Sequence, residues 1–143
     1  MLLTNLKRLQ HLTLSVVESF SNDAISVLGG ITTLRSLSFH KLEVDKGWMM
    51  NTASLINLRE LILQSSTKPV SRECFNIICE SFIGLEVLWL EKCELLTDEE
   101  GKKLCLFKRL KNVTLDSAHG FTDVTFEKGL GSPSLAYLRV SSC

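Results

Sequence analysis

The sequence predicts an α/β solenoid of about six stacked repeats, with a parallel β-sheet on the concave face and one helix per repeat on the convex face. Three observations carry this. The pattern Leu-x-x-Leu-x-Leu, with Val or Phe as substitutes, returns from Leu9, Leu34, Leu58, Leu85, Leu110 and Leu135, in steps of 25, 24, 27, 25 and 25 residues. A short apolar unit at such a period marks a tandem array whose units bury their apolar faces on one another. The end of each unit alternates with the period of a strand, and roughly 20 residues then remain for the crossover that a parallel neighbour requires.

The strands follow from the alternation. In Leu85-Glu86-Val87-Leu88-Trp89-Leu90, Leu88 and Leu90 share one face, and Val87, Trp89 and Glu91 share the other. The pairs Leu12/Leu14, Leu37/Phe39, Leu61/Leu63, Val113/Leu115 and Leu138/Val140 repeat the pattern, so the leucines point inward. Helix starts follow from capping chemistry. Ser21-Asn22-Asp23, Ser71-Arg72-Glu73, Thr97-Asp98-Glu99 and Thr122-Asp123 each place a hydroxyl cap before a first-turn acid, where backbone N–H groups lack partners. Thr97 with Glu100 also fits a capping box. Apolar residues trail these starts, namely Ile25 and Leu28, then Phe75 with Ile78, Cys79 and Phe82, then Leu104 and Val124. Trp48, with Met49 and Met50, falls in a crossover and is expected to fill the convex-side core.

Residues 1–143 read as a single domain. Met1-Leu2-Leu3 starts almost on the first leucine pattern and Cys143 follows the last strand by three residues, so the expectation is a piece of a longer solenoid without end caps, or one whose missing neighbours another chain supplies. Lys plus Arg and Asp plus Glu balance at 16 each, which argues against a general phosphate-binding surface and hence against nucleic acid. The basic cluster Lys102-Lys103, Lys108-Arg109 and Lys111 lies beside Asp98, Glu99 and Glu100 and reads as a solvated convex face and loop. No apolar run has the length of a membrane span, and the N-terminus lacks the plan of a signal peptide, so an intracellular chain, cytoplasmic or nuclear, is expected.

Cys74, Cys79, Cys93, Cys105 and Cys143 are odd in number and form no C-x-x-C pair. Cys93 and Cys143 hold the same repeat position but lie two repeats apart, roughly 10 Å by strand spacing, too far for a disulfide. Neither His11, His40 nor His119 has a ligand spacing to a cysteine pair, so no metal and no cofactor is expected. Buried free thiols are the simpler reading.

The stretch Leu85-Glu-Val-Leu-Trp-Leu-Glu-Lys-Cys93-Glu-Leu-Leu-Thr97-Asp98-Glu-Glu-Gly101 resembles the cysteine-containing class of leucine-rich repeat, Leu-x-x-Leu-x-Leu-x-x-Cys-x-x-Leu/Ile-Thr-Asp-x-Gly. Gly131-Ser132-Pro133-Ser134-Leu135 is similar to that family's junction, and Phe121-Thr122-Asp123 repeats the Thr-Asp start. At the cysteine position the other repeats carry Val17, Leu42, Ser66 and Ala118. The resemblance implies an F-box-type protein, in which repeats capture the substrate of a ubiquitin ligase while a preceding helical module docks on the ligase adaptor. No F-box precedes the first strand here.

The outward positions should form three rows across the strands. The central row reads Thr13, Ser38, Ile62, Trp89, Thr114 and Arg139. His11, Ser36, Glu60, Val87, Asn112 and Tyr137 run on one side, and Ser15, His40, Gln64, Glu91, Asp116 and Ser141 on the other. Trp89 with Ile62 and Val87 makes an apolar patch on a polar face, Arg139 with Tyr137 a second anchor, and Glu60, Glu91 and Asp116 an acidic edge suited to a basic segment. His40 completes the predicted partner-binding set. An aromatic in a strand also packs on its cross-strand neighbours, and for Trp89 the two readings stand side by side.

Catalysis finds little support, because His11 and His40 belong to different rows, His119 follows a strand, and Gly29-Gly30 closes a helix instead of cradling a phosphate. Asn112-Val113-Thr114 is a glycosylation sequon inside a strand and reads as chance. The expected function is a non-enzymatic module that binds a protein partner on its concave face. The alternative is a structural segment of a larger scaffold or of a nucleotide-binding innate immune sensor.

Overall fold

The computed structural model describes residues 5–15 and 22–141. Six strands, β1 (His11–Ser15), β2 (Ser36–His40), β3 (Glu60–Gln64), β4 (Val87–Leu90), β5 (Asn112–Leu115) and β6 (Tyr137–Val140), form one parallel sheet in chain order. The crossovers are helical: α1 (Asn22–Gly29), α2 (Lys46–Thr52), α3 (Arg72–Ser81), α4 (Asp98–Gly101) continued by a 3-10 helix (Lys102–Leu106), and α5 (Asp123–Gly129). The result is a repeating β-α architecture with its helices packed against one side of the sheet.

Register follows the leucine pattern without slippage. Leu12, Leu37, Leu61, Leu88, Val113 and Leu138 stand opposite one another in turn, as do Leu14, Phe39, Leu63, Leu90, Leu115 and Val140. A one-residue slip would put every one of these side chains in water, which is why the register is fixed. Leu37, Leu61, Leu88 and Val113 join Ile25, Phe75, Ile78 and Leu104 from the crossovers in one continuous core. Each such side chain contributes about 1.5–3 kcal/mol by leaving water. The first and last strands have a neighbour on one side only, so Leu12 and Leu14 are half-buried and Leu138 is 43% exposed although its position is an inward one.

The second crossover holds a helix that the capping signals did not announce. Asp45 accepts a hydrogen bond from the backbone N–H of Trp48 at 2.9 Å and starts α2. Trp48 and Met49 are buried, with Trp48 edge-on to Phe39 at 5.4 Å between ring centres, but Met50 is 60% exposed. Trp48 thus fills the core as expected, together with Met49, and the next helical position rotates Met50 away from the sheet.

The other caps are formed by the residues that predicted them, except Ser21, which lies outside the described residues. Ser71 Oγ accepts the N–H of Cys74 at 3.1 Å, and the Glu100 carboxylate closes a capping box by accepting the backbone N–H of Thr97 at 2.9 Å. The last crossover adds a link between repeats. Asp98 accepts the Thr122 hydroxyl at 2.5 Å, the Thr122 N–H at 2.9 Å, the Thr125 N–H at 3.2 Å and the Thr125 hydroxyl, so one carboxylate caps the helix of the following unit. It draws Thr125 fully inside and turns Val124 outward, contrary to the apolar position expected of Val124.

These bonds, the Thr122 hydroxyl foremost, hold the Asp98 carboxyl at about 2 against an ordinary 3.8. A depressed carboxyl contributes stability above its unfolded value and loses it as pH falls through its folded value, so the window runs from about pH 4 down to about pH 2. Asp98→Asn is therefore expected to lower the urea midpoint at neutral pH, with the difference from wild type shrinking across that window. Parallel titrations at neutral pH and near pH 2 check this.

Four residues without glycine's freedom adopt left-handed backbone: Lys41, Ser65, Lys92 and Ser117, with φ of 57–58°. Each stands two residues past the last inward side chain of its strand and turns the chain so that the next residue drops toward the core. Leu42, Cys93 and Ala118 are buried there, and Ser66 is half-buried. Left-handed backbone costs an L residue about 1–2 kcal/mol, partly regained by glycine at the expense of unfolded-state entropy. Ser117→Gly is thus expected to stabilise the fold by about 0.5–1 kcal/mol, read as a rise in the urea midpoint at constant slope.

Candidate protein-interaction face

The sheet face opposite the helices carries the side chains between the leucines. Parallel pairing sets Glu60 beside Val87, Val87 beside Asn112 and Asn112 beside Tyr137, while Ile62, Trp89, Thr114 and Arg139 follow one another in the adjoining row. These side chains line a depression of about 330 Å³. Its floor is apolar, made by Ile62, Val87 and Trp89, all half-buried, and its far wall is Tyr137 and Arg139, both exposed. Trp89 packs between Ile62 and Thr114 yet keeps part of its ring at the surface, so cross-strand packing and availability to a partner coexist in one residue.

Six of the nine predicted site residues therefore meet in one place: Trp89, Ile62, Val87, Arg139, Tyr137 and Glu60. Glu91, Asp116 and His40 do not line this depression. Glu60 stands across the central row from Glu91 and Asp116, so the three carboxylates flank the face instead of forming one edge. Each is also engaged: Glu60 accepts the Ser36 hydroxyl at 2.6 Å, Glu91 the Ser65 N–H at 2.7 Å, and Asp116 the Ser141 hydroxyl. Glu91 thereby closes the left-handed turn of the preceding repeat. His40 is half-buried at the end of β2, two strands from Trp89.

Asn112 and Thr114 also line the depression. Their place in register, Asn112 between Val87 and Tyr137 and Thr114 between Trp89 and Arg139, was the signal, and their small polar character hid it. Both leave room between the two anchors, which makes the hollow. A larger hollow of about 660 Å³ lies by the turns after β2 and β3, but Glu43 and Lys68 close on each other there at 2.6 Å. Those charges are satisfied internally.

The buried thiols Cys74, Cys79 and Cys93 are poor nucleophiles. Burial pushes Cys93 up to about 12 and raises Cys79 and Cys74 as well. Cys74, Cys79, Cys93 and Cys105 are free, while Cys143 lies outside the described residues. Among the described residues no group of three or more His, Cys, Asp or Glu side chains is placed to hold a metal ion, and no helix is long and apolar enough to cross a membrane.

The sequence matches no protein-family model and no curated protein. What the fold and the face define is an α/β domain of repeating β-α units that presents an uncovered sheet surface, with an apolar floor and polar walls, to the outside.

Proposed function

We propose that this chain is a leucine-rich-repeat module of the cysteine-containing class that binds a protein partner on the concave face of its sheet. The observation that carries this is the apolar floor of Trp89, Ile62 and Val87 beside the Tyr137–Arg139 wall, on a face otherwise lined by small polar groups. Aromatic and arginine side chains over an apolar floor are where binding energy concentrates. The finer reading, by resemblance to the repeat units, is the substrate-recognition segment of an F-box-type ubiquitin ligase subunit, whose adaptor would be reached through a separate helical module.

The role is a binding one and not a catalytic one. Its support is the distribution of reactive groups: the buried thiols are held protonated, and His11 and His40 stand in different rows. Four unpaired thiols also favour a reducing, intracellular setting. Affinity capture with wild type and Trp89→Ala in parallel tests the reading. The expected result is a partner, such as a ligase substrate, retained by the first and lost by the second. Equal capture by both would end the assignment of the face.

A further inference from the structure

A second surface lies at the other end of the same strands from the left-handed turns. Every strand is entered through a tight turn, closed in most repeats by a bond from the leading leucine N–H to a carbonyl three residues back, as in Leu34 to Ile31 at 3.1 Å and Leu58 to Leu55 at 3.0 Å. Because the strands are parallel and in register, the exposed corners of these turns form one row along the edge of the sheet.

Charge along this row is segregated although the chain as a whole is neutral. The first turn carries Lys7 and Arg8, the second Arg35, the third Arg59, and the fifth Lys108, Arg109 and Lys111, whereas Glu86 in the fourth is the only acid. Within the basic cluster of the fourth and fifth repeats, Lys102 pairs with Glu99 at 2.8 Å, Lys103 with Glu80 at 3.1 Å and Lys111 with Glu86 at 3.3 Å. Lys108 and Arg109 make no ion pair among the described residues, and neither do Lys7, Arg8 and Arg35. Between these two groups of free cations, at the matching corner of the third and fourth turns, stand Ile56 and Ile83, 70% and 61% exposed.

The row is also held rigid. Thr33 donates to the Leu9 carbonyl at 2.6 Å, Asn57 to Thr32 at 3.1 Å and Ser132 to Lys108 at 3.3 Å, while Arg59 donates to the Gly84 carbonyl at 3.4 Å and Lys111 pairs with Glu86 at 3.3 Å, so each turn is linked to its neighbour. Like charges ranked side by side cost stability unless an opposite charge meets them, and a rigid row binds without paying to be ordered. Along that corner the order is Lys7, Thr32, Ile56, Ile83 and Lys108, with Arg35 on the strand side of the second turn, and it spans four strand spacings, roughly 19 Å, the reach of about six extended residues.

We propose that this edge docks an acidic segment of a protein partner, extended along the row, with apolar residues on the isoleucines and acids on the cations at either end. A protein segment fits better than an anionic membrane, because Glu86 stands in the middle of the row where lipid headgroups would repel it, while a peptide can leave it to Lys111. The edge is distinct from the Trp89 face.

The test is a titration of the isotope-labelled chain with a short fluorescent peptide carrying Leu-Ile at its centre and acidic runs on both sides. Expected are saturable binding, spectral changes confined to the turns, and a loss of about 10-fold or more in affinity for Lys108→Glu/Arg109→Glu and for Ile56→Ser/Ile83→Ser. All four side chains are exposed, so both variants should fold, which circular dichroism checks. Raising salt from about 50 to about 300 mM should weaken binding, and Trp89→Ala should not. No binding, equal binding of a peptide with lysines in place of its acids, loss of binding in Trp89→Ala, or capture by phosphatidylserine vesicles in place of the peptide would each overturn the proposal.

Discussion

Leu88→Ala is expected to destabilise the protein by about 2–5 kcal/mol, the range for removing a buried leucine and leaving a cavity. Leu88 is fully buried at the centre of the sheet, with Leu61 on one side and Val113 on the other. The helices behind it are tied to the same core through Phe75 and Ile78, so the site has little freedom to collapse. In a stack of repeats each unit is stabilised by its neighbours, so the loss should weaken the units on both sides together. Urea unfolding followed by circular dichroism gives the number, and a broadened transition would show that the array no longer unfolds as one. A change under about 1 kcal/mol would mean that the centre of the sheet is not the centre of the core.

The next residue in the same strand should behave in the opposite way. Trp89→Ala is expected to cost about 1 kcal/mol or less in stability, the scale of one cross-strand packing contact, because its side chain is half-buried on the face that no helix covers. Partner binding should weaken by at least about 2 kcal/mol, roughly 30-fold in Kd. The pair of variants separates the two faces of a single strand: one side chain holds the array, the other would hold the partner. If Trp89→Ala unfolds the chain as Leu88→Ala does, the proposed docking role is lost with it.

The strands were legible because inward and outward positions alternate with a period of two and the leucines mark the inward ones. Ser71, Thr97 and Thr122 were legible as helix starts because a hydroxyl before an acid satisfies the orphan N–H groups whatever the tertiary setting. Helix α2 was not, since its cap is Asp45 followed by Lys and Gly, a run that reads equally well as a turn. The left-handed positions were also hidden. Lys41, Ser65, Lys92 and Ser117 are not the residues that backbone prefers, and they are held there by the demand that the following side chain reach the core.

The face itself was half legible. Its rows could be written out from the leucine register, and the register places Trp89, Ile62, Val87, Tyr137, Arg139 and Glu60 where the rows put them. That a hollow lies between the anchors depends on the small Asn112 and Thr114 side chains. That Glu91 and Asp116 are engaged by Ser65 and Ser141 depends on contacts about 25 residues apart in the chain, which no local pattern reports.

By itself, then, the sequence determined the repeat length, the six strands, their parallel order and the side of each strand that is buried, because those follow from periodicity and the cost of exposing leucine. Only the tertiary structure decided which polar groups are free. Stacking equivalent positions side by side satisfies some charges, as at Asp98 and Glu43, and strands others, as at Lys108 and Arg109. The hydrophobic effect is non-directional and can be read from composition along the chain, whereas a hydrogen bond or an ion pair exists only where the fold brings two particular atoms within reach.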